Sequence, residues 1–235
     1  MKTWIFAGVC DKSELLLYIC KLLASGGNRI LLVDATKARK YSCMIGQFDK
    51  SLSLTEFSGF DVACGYSEFE QLKHELNPLD QYDYILYDVN IEGFIPPNLW
   101  CEASARIWVS DYELWTLEKG TEWLQDLVSR HKADGLKISE FQRVYIRTVD
   151  EWFDEVYLDA YFDKLSMIWK GEIIHIPWNE LDLAQKLRNE HSRKLMMRPL
   201  TKGYKRNLCL LVQLLSEFDH QYIRRALKSA ERRRA

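Results

Sequence analysis

One short turn concentrates the groups that could do chemistry. Between Ala7 and Glu14 the chain places Gly8, Cys10, Asp11, Lys12, Ser13 and Glu14 close together. The glycine frees the backbone, Lys12 brings a cation, Ser13 a hydroxyl, and Asp11 and Glu14 bring carboxylates. Two further carboxylates, Asp34 and Asp88, each close an apolar run. The flanking elements give the turn its position. Trp4-Ile5-Phe6 reads as a short strand, Leu15 to Ser25 as a helix stopped by Gly26-Gly27, and Arg29 to Asp34 as a second apolar strand. A helix between two continuous apolar strands is the βαβ unit of a parallel sheet. Ligands of such sheets bind outside the carboxyl ends of the strands, where this turn lies.

The same residues have a structural use. Asp11-Lys12-Ser13-Glu14 has the spacing of an N-cap with glutamate at the third helical position. Both carboxylates would then satisfy the orphan N–H groups and the dipole of the helix they begin, with Lys12 paired to Asp11 or to solvent.

The order and spacing resemble the MinD/ParA family of P-loop ATPases, whose loop reads Lys-Gly-Gly-x-Gly-Lys-Ser/Thr. Lys12 and Ser13 match its last Lys and Ser, and Gly8 matches one glycine. The family's extra lysine falls on Ala7, and its other two glycines fall on Val9 and Asp11. The register continues along nearly the whole chain. Asp34 stands at the first aspartate of an Asp-x-Asp-like first switch, with Thr36 at the second. Tyr84 to Asp88 resembles the Walker B strand, with Val89-Asn90 where Thr-Pro is usual.

The resemblance implies an α/β fold: a three-layer, doubly wound, mostly parallel sheet in one domain over residues 1–235, with a basic C-terminal helix and tail from about 202. It implies ATP and magnesium as cofactors, with Gly8, Asp11, Lys12, Ser13 and Glu14 at the nucleotide. Ser13, Asp34 and Asp88 would lie at the metal, and Asp34 and Asp88 would be the catalytic pair that organises magnesium and water. It also implies a homodimer. In a P-loop, backbone N–H groups curl around phosphates, a lysine reaches the β- and γ-phosphates, and a hydroxyl binds magnesium. Asp11 instead puts a carboxylate where phosphate oxygens approach, and like charges at ~4 Å repel by about 1–4 kcal/mol. Val9 is β-branched where glycine's freedom is used. The family's extra lysine crosses to the partner's nucleotide, and Ala7 has no such reach. These departures point to an impaired or non-hydrolysing site.

Composition bounds the rest. With 47% hydrophobic and 28% charged residues over 235 positions, the chain is globular and long enough for one α/β domain. A net charge of −2 selects no partner class. Six scattered cysteines without a Cys-x-x-Cys pair favour reduced thiols in a cytoplasmic protein over a disulfide or zinc framework. The start has no signal-peptide pattern, and no apolar run approaches the ~18 residues that span a bilayer.

Further strands are expected at Ser51–Phe57, Phe60–Cys64, Tyr84–Asn90, Ala105–Ser110, Gln142–Arg147 and Glu172–Pro177. Helices are expected from Ser67, as cap, to about Leu76, ended by Pro78, and from Asp111, as cap, to His131. Others run from Asp154 to Ile168, around Leu183–Glu190, and as one long amphipathic helix from Lys202 to Lys228. Pro96-Pro97 is placed in a loop. His175 reads as a core histidine, and Cys10 as reactive only if the helix end lowers its pKa. Trp100, Trp108 and Trp115 are either core or an exposed partner surface.

Basic residues crowd the C-terminus: Arg224, Arg225, Lys228, Arg232, Arg233 and Arg234. They suit an acidic surface, either nucleic acid or a lipid face peripheral to the inner membrane, or they form a solvated tail. The aliphatic side of that helix is expected in the core, which disfavours membrane insertion. Three functions follow. The first is a degenerate, non-catalytic or weakly nucleotide-binding positioning or scaffold component of a bacterial assembly (pilus, secretion or partition machinery), as in the atypical TadZ/CpaE-like relatives. The second is an active ATPase of partition type using Lys12 and Ser13. The third is an interaction domain that binds no nucleotide.

Overall fold

The computed structural model describes residues 1–46, 52–76, 81–136, 140–149, 155–163, 165 and 167–232. The chain begins β1 (Lys2–Ala7), α1 (Ser13–Ser25), β2 (Ile30–Ala35). The short α2 (Tyr41–Met44), a hairpin of β3 (Leu54–Phe57) and β4 (Phe60–Ala63), and α3 (Phe69–Glu75) follow. Next come β5 (Tyr84–Val89), α4 (Pro97–Glu102), β6 (Ala105–Ser110), α5 (Leu114–Ala133), β7 (Phe141–Thr148) and α6 (Glu155–Asp159). The last are β8 (Trp169–Pro177), α7 (Glu180–Ser192), α8 (Lys202–Leu215) and α9 (His220–Arg232).

The strands form one sheet in the order β3-β4-β2-β5-β1-β6-β7-β8. Every neighbouring pair is parallel except the β3–β4 hairpin at one edge. β5 lies between β1 and β2, so the first crossover spans one strand. The order reverses at β1, and the turn after β1 therefore stands at the switch point of the sheet.

Strand alternation sorts the core into two layers of packing. Trp4 and Phe6 of β1 face one cluster with α1, α8 and α9, whereas Ile5 and Ala7 face another with α4 and α5. This is a helix–sheet–helix sandwich, the expected three-layer fold. α1 is apolar almost all round, as a helix covered on both sides must be. It is held between the sheet and the α8–α9 pair, and Leu15, Leu16, Leu17, Ile19, Leu22 and Leu23 are all buried. Even Lys21 is buried, its Nζ donating to the Leu195 carbonyl. At the end of α1 a Cβ on Gly26 would come within 2.5 Å of the Tyr222 hydroxyl, so glycine lets α9 approach. That hydroxyl donates to the Gly26 carbonyl at 2.7 Å.

Several elements depart from the expectations. The single terminal helix is two, α8 and α9, broken at 216–219. Ser216 turns extended, its hydroxyl accepts the Phe218 N–H, and Asp219 accepts the Tyr222 N–H at 2.7 Å to start a new helix. Phe218 then stacks on Tyr222 and packs against Tyr84. The helix expected from Asp154 to Ile168 shrinks to α6. Trp169 instead opens β8 early, packed on Phe141 and Phe162. Ser67 does not cap α3: its N–H and hydroxyl both meet the Gln71 side chain, and α3 starts at Phe69. Asp111 does not cap α5 directly, because it lies two residues before the N-cap position and accepts from Glu113 N–H. Pro97 begins α4 instead of lying in a loop, a position where its missing N–H costs nothing. Asp154, Pro78, Ser51, Arg233 and Arg234 lie outside the described residues.

Trp100 and Trp108 are core residues, and only Trp115 is exposed, so the three do not form a surface cluster. His175 is half-buried, with Nδ1 at 3.1 Å from the Tyr112 hydroxyl and its ring stacked on Tyr145. Among the described residues no helix is long and apolar enough to cross a membrane.

Candidate functional site

The turn after β1 is built by close backbone contacts. Gly8 has φ +147°, and a Cβ there would lie 2.0 Å from the Val109 carbonyl of β6. Glycine is needed for that approach alone. Gly8 N–H also donates to Val89 of β5 at 3.2 Å. The turn is thereby pinned to the strands on both sides of β1.

Lys12 points back into the sheet and is 1% exposed. Its Nζ lies 2.7 Å from Asp88 Oδ1, and it donates to Gly8 O at 2.8 Å and Val89 O at 3.3 Å. Two hydrogen bonds and one ion pair therefore hold the ammonium beneath the turn. Asp88 Oδ2 accepts the Tyr41 hydroxyl at 2.6 Å. The expected pairing of Lys12 with Asp11 or solvent is replaced by this buried bridge to β5, because the side chain folds beneath the turn.

Asp34 is the residue opposite Asp88 in the β2–β5 register. Its Oδ1 accepts Thr36 N–H at 3.0 Å and Thr36 Oγ1 at 2.6 Å, while Oδ2 is buried without a partner. Burial pushes its carboxyl up to about 6, against the hydrogen bonds from Thr36 and with help from the neighbouring Asp88 charge.

Asp11 lies on the other side of the turn. Oδ1 accepts Ser13 N–H at 3.2 Å and the Ser13 hydroxyl at 2.6 Å. Oδ2 meets Lys40 Nζ at 2.7 Å and Lys186 Nζ at 3.7 Å. Burial works against ionisation here, but Lys40, Ser13 and Lys186 outweigh it and hold the carboxyl well below the usual carboxylate range. The expected capping box does not form. The N-cap position is Lys12, Asp11 makes an Asx-type turn ahead of it, and Glu14 does not return to the Asp11 N–H. Glu14 instead lines small cavities beside Lys186, with Oε1 buried and unpartnered. Burial pushes its carboxyl up to about 7, with Lys186 pulling it down and Asp182 raising it. Cys10 is buried, and its thiol donates to the Val109 carbonyl. Burial carries its pKa up to about 12 in spite of Lys12, so it is not a reactive thiolate.

Thus Gly8, Asp11, Lys12, Ser13, Glu14, Asp34 and Asp88 are brought to one end of the sheet. The basic residues of α9 lie elsewhere, on its outer face: Arg224, Arg225, Lys228 and Arg232 are exposed, while Ile223, Ala226 and Ala230 are buried. Sequence reasoning missed Tyr41, Lys40 and Arg147. Tyr41 closes a strongly polar loop, and an aromatic in that place was the available signal. Arg147 has a left-handed φ of 55°. It donates to Asp111 Oδ2 at 2.6 Å and to the Asp11 carbonyl at 3.3 Å, and nothing in the local pattern announces it.

The residues do not fit ATP and magnesium as they stand. Lys12 Nζ is turned onto Asp88, Gly8 O and Val89 O, and the Ser13 hydroxyl is given to Asp11. The cavity beside the turn, lined by Asp11, Glu14, Arg147, Trp178 and Lys186, holds about 100 Å³. Small-molecule sites usually measure ~300–1,000 Å³. Among the described residues no group of three or more acidic, histidine or cysteine side chains is placed to hold a metal ion.

The fold and the position of this turn define a class: the chain has the MinD/ParA type of P-loop fold. It is similar to a plasmid partition protein from Borrelia burgdorferi solved with AMPPNP, at 17% identity over 91% of this chain and 98% of that one, TM-score 0.60. It is also similar to MinD in the MinC:MinD complex of Aquifex aeolicus, at 15% identity over 99% and 95% of the two chains, TM-score 0.57. Apo McdA of Cyanthece superposes at 14% identity over 98% of each chain, TM-score 0.58. No family model and no curated protein matches the sequence.

Proposed function

We propose that this protein is a positioning or scaffold component of a bacterial assembly that keeps the MinD/ParA fold without ATP hydrolysis, of the kind the TadZ/CpaE-like relatives represent. The observation that carries the reading is the closed turn. Lys12 is spent on Asp88, Gly8 and Val89. Asp11 takes the Ser13 N–H and hydroxyl that a bound nucleotide and its metal would need. Ala7, wholly buried in β1, stands where the family's second lysine would be. Asp11 is in effect an internal anion at the start of α1, supplied by the chain in place of a phosphate.

The test is calorimetric titration of nucleotide-stripped protein with ATP and magnesium. No binding is expected up to millimolar nucleotide. Asp11→Gly should reveal binding and lower stability, because Oδ1 accepts the Ser13 N–H and hydroxyl at the start of α1 and Oδ2 meets Lys40 and Lys186. Micromolar binding by the wild type that disappears in Lys12→Ala would overturn the reading in favour of a working ATPase.

A second reading concerns partners and rests on α9. Its exposed Arg224, Arg225, Lys228 and Arg232 line one face, and Arg225, Lys228 and Arg232 border an open cleft of about 360 Å³. This face suits an acidic polymer or an anionic membrane surface. Because the apolar side of α9 is packed on α1, contact would be electrostatic and without insertion. Association as a homodimer belongs to the same proposal.

A further inference from the structure

A second cavity lies away from the turn. It holds about 270 Å³ and sits between the segment that follows β5 and the last turns of α5. Ile91, Ile95, Trp100, Trp123 and Leu127 give it an apolar, aromatic wall. The Trp100 and Trp123 rings meet edge-on at 6.3 Å. His131 completes the lining and is 3% exposed.

Three hydrogen-bond facts restrict what such a cavity would hold. His131 Nδ1 lies 2.9 Å from the Leu127 carbonyl, which can only accept, so Nδ1 carries the proton. In the neutral imidazole Nε2 then presents a bare lone pair, and it is buried without a partner. The Trp123 indole N–H is already given to the Asn90 carbonyl at 3.2 Å. Of the three charged side chains on the lining, Arg130 and Glu92 are paired with each other at 2.9 Å, and Asp134 is exposed to solvent. An apolar cavity whose buried wall holds one unfilled acceptor and no unpaired charge calls for a neutral, flat, apolar molecule with one donor.

We propose that this cavity binds a small neutral aromatic carrying a single N–H or O–H group, which it donates to His131 Nε2 while its ring packs against Trp100 and Trp123. A buried acceptor left unfilled is costly, and satisfying it is what separates this ligand class from plain hydrocarbons. The volume is just under the lower end of ordinary ligand sites, which sets the size at one or two fused rings. The site is independent of nucleotide at the turn.

The probes are indole and benzothiophene, which share a shape but differ in the N–H. Calorimetric titration of the wild-type chain should show indole binding about tenfold more tightly than benzothiophene, the value of one neutral hydrogen bond. His131→Phe should remove that difference. Equal affinities in the wild type, or no binding of either, would overturn the proposal. If His131→Phe does not fold, the wild-type pair still decides, together with NMR contacts from bound indole. Contacts to the Trp100 and Trp123 rings support the site, and contacts elsewhere refute it.

Discussion

The turn after β1 and the outer face of α9 are both crowded with charge, and they handle it in opposite ways. At the turn three charges are answered from within: Lys12 by Asp88, Asp11 by Lys40 and Lys186, Arg147 by Asp111. On α9, Arg224, Arg225, Lys228 and Arg232 stand in solvent with no ion pair among the described residues. The difference teaches that a motif matched by residue type can serve the interior of a fold, whereas the charges left for a partner are those that nothing in the chain answers. Lys12 and Asp88 hold β1 and β5 together at the switch point. The α9 arginines hold nothing.

The largest effect should come from cutting the buried bridge. Lys12→Ala leaves Asp88 in the interior with only the Tyr41 hydroxyl to answer it. Removing one partner of a buried ion pair typically costs 3–5 kcal/mol. Urea unfolding should show that loss, and Lys12→Ala combined with Asp88→Asn should recover part of it, since the orphaned charge goes too. A loss under about 1 kcal/mol for Lys12→Ala would erase the contrast with α9, placing Lys12 among the loosely held surface charges.

How far the sequence foretold this depends on the scale of the feature. Runs such as Ile30–Val33 and Tyr84–Tyr87 are plain in the chain because burial on both faces demands an unbroken apolar run, and the parallel three-layer arrangement follows from the alternation of such strands with helices. The gathering of Lys12, Ser13, Asp34 and Asp88 at one end was also legible, since each closes or follows such a strand. What each side chain does there was not. The direction of Lys12 is set by Val89 and Asp88, far along the chain, and the partners of Asp11 come from α7 and the loop before α2. The capping box was misjudged for the same reason: local spacing cannot see Lys40 and Lys186, which offer Asp11 better partners than the helix does. The Lys202–Lys228 pattern hid its break because Ser216 and Asp219 both lie on a face that would have been polar anyway.

A middle-sized effect concerns pH, and it sharpens the contrast inside the turn itself. Glu14 ionises at about 7 in the fold, well above its ordinary value, because it is buried. Asp34 is raised to about 6 for the same reason. An unfolded carboxyl loses its proton near ~4. Between that point and the folded value the unfolded chain has released a proton the folded chain retains, so stability falls as pH rises and levels off above about 7. Asp11 runs the other way: its contribution is complete above the ordinary carboxylate range and is lost on acidification. Glu14→Gln should therefore flatten the decline, gaining on the order of 1–3 kcal/mol over the wild type at about pH 8 relative to about pH 5. Parallel stability curves for the two proteins would show that Glu14 is solvated and not part of the interior.

The smallest effect on stability should come from α9, and the size of that effect is what makes the helix informative. Exposed charges without partners typically change stability by less than about 0.5 kcal/mol each when replaced. Replacing Arg224, Arg225, Lys228 and Arg232 together by Gln should leave the unfolding midpoint nearly unmoved, because Ile223, Ala226 and Ala230 continue to dock on α1. Any affinity for duplex DNA or for vesicles rich in anionic lipid should fall steeply in the same variant, and wild-type binding should weaken with added salt as counterion release requires. Wild-type binding that ignores salt would remove the electrostatic argument. A large loss of stability in the variant would show that these arginines, like Lys12, are answered from within.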